Sequence, residues 1–171
     1  MLISPTGTTP EQIDAAAVVR TGLHASAPRA SSEWPLHAAL YQERPEFNAI
    51  VHTHADACTA LACLNQDLPV FHYSVLAFGG AVRCAPYVTF GTPVLAELAV
   101  TAMAGRTACL LANHGMIVAG PSLRAAVDGA FDLERLARQF LLARAAGTPR
   151  LLTDDEIADA QARFRTYQRG A

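Results

Sequence analysis

Lysine is absent from these 171 residues; all thirteen basic residues other than histidine are arginine. Covalent catalysis through a lysine Schiff base is therefore closed to this chain, and so is a phosphate-gripping P-loop lysine. Any carbanion or oxyanion formed on a substrate must be stabilised by a metal ion, by arginine or by backbone amides. Charge of either sign is sparse, and the net value of −2 comes with no run of like charges. That excludes the electrostatic footprint of a nucleic-acid or acidic-membrane binder. No apolar stretch reaches the ~18 residues of a membrane span. The opening Met1-Leu2-Ile3-Ser4 has neither a charged n-region nor an apolar h-region, so no signal peptide is expected. None of the four cysteines (58, 63, 84 and 109) forms a C-x-x-C pair, and all lie in apolar runs. They read as buried free thiols, which suits a reducing cytoplasm.

What is present is a hydrophobic half of the chain, 51%, enough for a sizeable core in one compact domain spanning 1–171. Strand and helix patterns alternate. Short strands are expected at 2–4 and 17–21, with the Pro5-Thr6-Gly7 turn between them and a helix from a Thr9 cap to about Asp14. A loop covers 24–30. Ser32 is placed to cap a helix over 33–43 that Pro45 stops. Residues 48–54 alternate, with Ile50, His52 and His54 on one face of a strand. A helix at 55–65, strands at 70–73 and 82–85, and a helix opened by Thr92-Pro93 and closed by Gly105 follow. Strands at 108–112 and 116–119 flank Asn113-His114-Gly115. The longest helix covers 123–146, with an apolar stripe of Ala126, Ala130, Leu133, Ala137, Phe140 and Leu141. Thr153-Asp154-Asp155-Glu156 is a capping box for a last helix reaching about Tyr167. The class is α/β, with helices expected on both faces of a sheet.

His52-Thr53-His54 is the strongest chemical signal. Two residues apart on a strand, both imidazoles leave one face, roughly 6.5–7 Å apart at Cα, and can converge on one ion. The competing reading is a pair satisfied by hydrogen bonds at a strand end. His114 ends a very apolar run at a Gly-permitted turn; it reads either as a third ligand or as an exposed turn residue. Glu33, after two serines at a helix start, is either a dipole-favoured cap or an oxygen ligand and general base. Three histidines and a carboxylate suit zinc. His37, one helical turn beyond Glu33, reads as a supporting partner or a helix-surface residue; His24 looks ordinary, and His72 reads as core or rim, neither as a ligand. Thr6-Gly7 and Ser31-Ser32 offer hydroxyls and amides of the kind that cradle an anion, or plain turn and cap chemistry.

Ser31-Ser32-Glu33-Trp34-Pro35-Leu36-His37, Ile50-Val51-His52-Thr53-His54-Ala55, Cys84-Ala85-Pro86-Tyr87 and Asn113-His114-Gly115, in that order, resemble the class II aldolase/adducin family in its L-fuculose-phosphate-aldolase branch. The resemblance covers essentially the whole chain. It implies a three-layer α/β/α fold around a mostly antiparallel sheet and a C4 homotetramer with sites at subunit boundaries. It implies His52, His54 and His114 as ligands of zinc (manganese or cobalt being possible). Glu33 would be the fourth ligand and the acid/base. Thr6, Gly7, Ser31 and Ser32 would hold a substrate phosphate, and Tyr73 of a neighbouring subunit would protonate an aldehyde oxygen. Phe164 and Tyr167 match a C-terminal segment that folds over the site. Family members also carry an N-terminal helix and a Gly-Asn loop ahead of the Leu2–Gly7 segment, and the present sequence starts after that point.

The expected activity is cleavage of a ketose 1-phosphate to dihydroxyacetone phosphate and a short aldehyde, with a Lewis-acidic metal standing in for the missing amine. The related epimerases resemble this pattern but carry Ser-Ser-Asp, so Glu33 favours the aldolase branch. The alternatives are an epimerase, decarboxylase or dehydratase of sugar phosphates, or a non-catalytic adducin-like assembly module. Relatives of the last kind typically lose the ligand histidines.

Overall fold

The computed structural model describes residues 1–9 and 13–168, apart from the side chains of Arg165, Tyr167 and Gln168. Its centre is a four-stranded sheet in the order β3-β6-β5-β4. β3 (Ala49–Thr53) and β5 (Ala108–Leu111) both pair antiparallel with β6 (Gly115–Gly120), and the short β4 (Cys84–Ala85) runs parallel to β5. The mostly antiparallel sheet is thus as expected. Its parallel edge follows from the long connection through α3 (Pro93–Ala102), which carries the chain back to the same end before β5 begins.

Strand alternation sorts the side chains into two cores. Ala108, Leu110, Met116 and Val118 pack on one face with α2 (Asp56–Cys63) and α4 (Leu123–Ala146). Cys109, Leu111, Ile117 and Ala119 pack on the other face with α1 (Trp34–Glu43) and α3. Such two-sided burial accounts for the near-continuous apolar strands. Gly129 is where α4 touches the sheet: a Cβ there would lie 2.9 Å from Val118 Cγ1. In β3, Ile50 belongs to the α1/α3 side and Val51 to the α2/α4 side. His52, two residues after Ile50, therefore projects toward α1.

Several local expectations hold. The helix expected over 123–146 forms, and its stripe faces the core with Leu136 added; Ser122 Oγ, not singled out in the sequence, starts it by accepting the Ala125 amide at 3.2 Å. The capping box is complete: Thr153 Oγ1 accepts from the Glu156 amide, and Glu156 Oε2 accepts from the Thr153 amide at 2.8 Å. It opens α5 (Asp154–Gln168).

Other expectations need correction. Residues 70–73 form no strand; a turn from Pro69 leads into a 3-10 helix, Tyr73–Phe78, capped by the His72 side chain. Only Val19–Arg20 and Leu2–Ile3 form the second, two-stranded sheet, as β2 and β1. Val82 makes an isolated bridge to Leu68 rather than extending β4. Ser32 does not cap α1: the cap is Glu33, without a side-chain capping bond. Of the helix expected near residue 10, residues 10–12 lie outside the described residues, and Ile13 and Asp14 are not helical. The cysteines are free, but only Cys58 and Cys109 are buried; Cys84 is half-buried and Cys63 exposed. No described helix is long and apolar enough to cross a membrane.

Candidate metal centre

The three histidines meet at one end of the central sheet. His52 stands near the end of β3, His54 follows that strand, and His114 sits in the turn joining β5 to β6. The turn is built for closeness. Asn113 adopts a left-handed φ of 54°. Gly115 presses on the end of β3, where an added Cβ would meet the Thr53 carbonyl at 2.4 Å and His54 Cδ2 at 2.9 Å. Glycine is required there so that His114 can fold back toward its two partners. The ring centroids stand 4.8–5.1 Å apart, and one donor atom from each ring lies within 4.8 Å of the others.

The donor set fits a cation. His52 Nδ1 donates to the Met116 carbonyl at 2.9 Å, which fixes the tautomer and leaves Nε2 as a lone-pair donor. That Nε2 is buried without a hydrogen-bond partner, as is Glu33 Oε2. Buried polar atoms are rarely left so; an ion among the three imidazoles would satisfy His52 Nε2, while Glu33 lines the same cleft without joining that group of convergent donor atoms. Burial pushes the His52 pKa down to about 3, with His114, His54 and His37 adding like-charge repulsion and the Met116 carbonyl opposing. Burial and His54 also lower His114. Both imidazoles are thereby held neutral, the form that binds metal.

Glu33 is only 8% exposed. Burial raises its pKa, while a hydrogen bond from the Gly91 backbone and the charge of His54 oppose the rise. A carboxylate held this way favours a proton or a metal over bare charge. Its backbone amide is anchored on Ser31 Oγ at 3.2 Å. His37 lines the same cleft and is pushed down to about 4 by burial.

Thr6, Gly7, Ser31 and Ser32 line this cleft, of about 1040 Å³, together with Glu33 and the three histidines. An isolated bridge between Pro5 and Ala30 sets the two loops side by side. The Thr6 and Ser31 amides are committed to the Arg29 and Ser4 carbonyls, so what these two residues offer an anion is hydroxyl groups rather than free amides. Gly7 has a φ of 65° and nothing within 4 Å of a Cβ position, so it serves the turn's conformation.

Tyr73 is not brought to this cleft by its own chain. It is 57% exposed, stacks on His72 at 4.6 Å, and shares a separate pocket of about 500 Å³ with Arg163 and Phe164. The side chain of Tyr167 lies outside the described residues. Sequence reasoning missed the Gly91 loop that reaches Glu33. Its only trace is a Gly-Thr-Pro run that reads as a helix start.

The sequence profile described as Class II Aldolase and Adducin N-terminal domain matches residues 1–141. The chain is 42% identical to L-fuculose phosphate aldolase of Escherichia coli K12, over 98% of this chain and 80% of that protein. It is 46% identical to 5-methylthioribulose-1-phosphate/5-deoxyribulose-1-phosphate aldolase of Rhodospirillum rubrum, over 80% of this chain and 62% of that protein. A solved L-fuculose 1-phosphate aldolase superposes with a TM-score of 0.89 at 36% identity, covering 96% of this chain and 79% of that one. By sequence and by fold, the chain belongs to the class II aldolase and adducin family.

Proposed function

We propose that this chain is a zinc-dependent aldolase cleaving a ketose 1-phosphate to dihydroxyacetone phosphate and a short aldehyde. The observation that carries the reading is the pair of buried, unpartnered donor atoms, His52 Nε2 and Glu33 Oε2, in one cleft with three converging imidazoles. The named relatives act on L-fuculose phosphate and on 5-methylthioribulose or 5-deoxyribulose 1-phosphate, which supports a ketose 1-phosphate as the substrate class.

His52, His54 and His114 hold the metal, with Glu33 as an exchangeable fourth ligand. When bound, the cation supplies Lewis acidity that draws charge onto the donor oxygens as the carbon–carbon bond breaks. The hydroxyls of Thr6, Ser31 and Ser32 bind the phosphate. In condensation Tyr73 from a neighbouring subunit donates its phenol proton to the aldehyde oxygen; in cleavage the phenolate so formed takes up the proton that the hydroxyl beyond the breaking bond loses. Glu33 then returns a proton to the donor carbon, a task suited to a carboxyl whose pKa burial has raised. Its outward position supports Tyr73 acting between subunits of a homotetramer. We place the protein in the cytoplasm and read residues 1–171 as one domain.

Product analysis on a panel of ketose 1-phosphates tests the reading. Release of dihydroxyacetone phosphate, abolished by chelation and restored by zinc, is the expected result. A product of unchanged carbon number would mark an epimerase or dehydratase instead.

A further inference from the structure

Glu134 lies in the middle of α4, one turn from core residues of the longest helix, and no step of the proposed reaction uses it. Its carboxylate is nonetheless committed: Oε1 accepts the Ala57 amide at 2.8 Å and Oε2 accepts the Cys58 amide at 2.9 Å. These are first-turn amides of α2, which no residue of α2 itself satisfies. The cap position is Ala55, which makes no side-chain capping bond. Ala57 and Cys58 are 8% and 0% exposed, so water does not replace the carboxylate.

α2 joins the two halves of the metal centre. Its first residue, Asp56, comes two after His54. Near its far end, the Ala62 carbonyl accepts the amide of Asn113, the residue before His114, at 3.3 Å. The helix is therefore a strut whose ends set where His54 and His114 leave the backbone. A carboxylate from a different helix pins one end.

From this we infer that Glu134 is a positioning residue of the metal centre, acting through α2 on the separation of His54 from His114. The inference rests on the metal site proposed above. A glutamine at this position offers one acceptor oxygen and sets an N–H against the second amide, so Glu134→Gln removes half of the clamp.

The test is titration of the full chain, freed of metal, with Co(II), read by visible absorption and by thermal melting. Failure of the unaltered chain to bind Co(II) would refute the metal centre itself. If that chain binds, Glu134→Gln is expected to weaken binding about 10-fold or more, the range seen when partners of metal ligands are lost, and to shift the absorption bands. Phe140→Leu, which loosens the same helix nearly two turns beyond Glu134, should lower the melting temperature and leave affinity and spectrum unchanged. An altered melting temperature with unchanged Co(II) affinity and bands in Glu134→Gln would overturn the inference. Should Glu134→Gln fail to fold, Glu134→Asp decides by the same two readings: it keeps both oxygens but is one methylene short.

Discussion

His52 Nδ1 donates to the main-chain carbonyl of Met116 across 2.9 Å, and the ring's other nitrogen is buried without a partner. One bond thus does two things: it holds the ring against β6 and leaves the opposite nitrogen free to ligate. His52→Gln is expected to leave near-zero bound zinc by elemental analysis. It should lower affinity by more than the ~10–100-fold that follows loss of a ligand's supporting partner. Retention of one equivalent of zinc would count against His52 as a ligand.

Glu33 gives a different outcome. Removing a buried carboxylate removes a desolvated charge, so Glu33→Gln is expected to match or exceed the parent stability by up to about 1 kcal/mol in urea unfolding. Turnover should fall by roughly 10²–10⁴-fold, the usual weight of a general acid or base. Exchange of deuterium into dihydroxyacetone phosphate, followed by NMR, should fall with it. Undiminished exchange would remove Glu33 from proton transfer.

Gly115→Ala tests the pinch between the turn and β3. The new Cβ would press on the Thr53 carbonyl and on the His54 ring. A cost of about 1–3 kcal/mol is expected from overpacking, together with weaker metal binding. A variant with parent stability and affinity would show that the turn shifts freely.

The pH response of the metal-free protein has a definite sign. His52 is depressed to about 3, His37 to about 4 and His114 below 6.5, so below pH ~6.5 the unfolded chain takes up protons that the folded chain refuses. The three histidines contribute their full stability above that pH and lose it as the pH falls through their folded values. Glu33, with its pKa raised above 4.5, acts oppositely: its contribution is present below 4.5 and lost as the pH rises through its folded value. Between pH 7 and about 6 the histidines dominate, so the melting temperature should fall on acidification. A rise over that interval would contradict the assignment.

Tyr73→Phe should leave stability within about 0.5 kcal/mol, as befits an exposed position. It should lower kcat with little change in KM. An unchanged kcat would remove the phenol from the reaction.

How much of this was legible in sequence depends on how local each signal is. His52-Thr53-His54 declares itself because two residues per strand repeat put both rings on one face, and Asn113-His114-Gly115 because glycine marks a forced turn. Helices carrying their own caps, such as those at Thr92 and Thr153, were readable for the same reason. The missed features are those whose partner is distant in the chain. Glu134 looks like any solvated glutamate on an amphipathic helix, and its two amides lie 77 and 76 residues away. The strand expected at 70–73 failed because apolar alternation cannot register that Pro69 and the His72 cap bend the chain. Strand direction is likewise silent in a period of two.

The division of β3 between two cores has a consequence for how this protein can vary in length. Ile50 and Val51 sit on opposite sides, and the imidazoles follow the even-numbered side. Parity, more than hydrophobicity, is then what keeps the imidazoles converging. One codon gained inside β3 would turn both rings toward α2 and Glu134 while the apolar pattern still looked sound. Two codons gained would restore their aim toward Glu33.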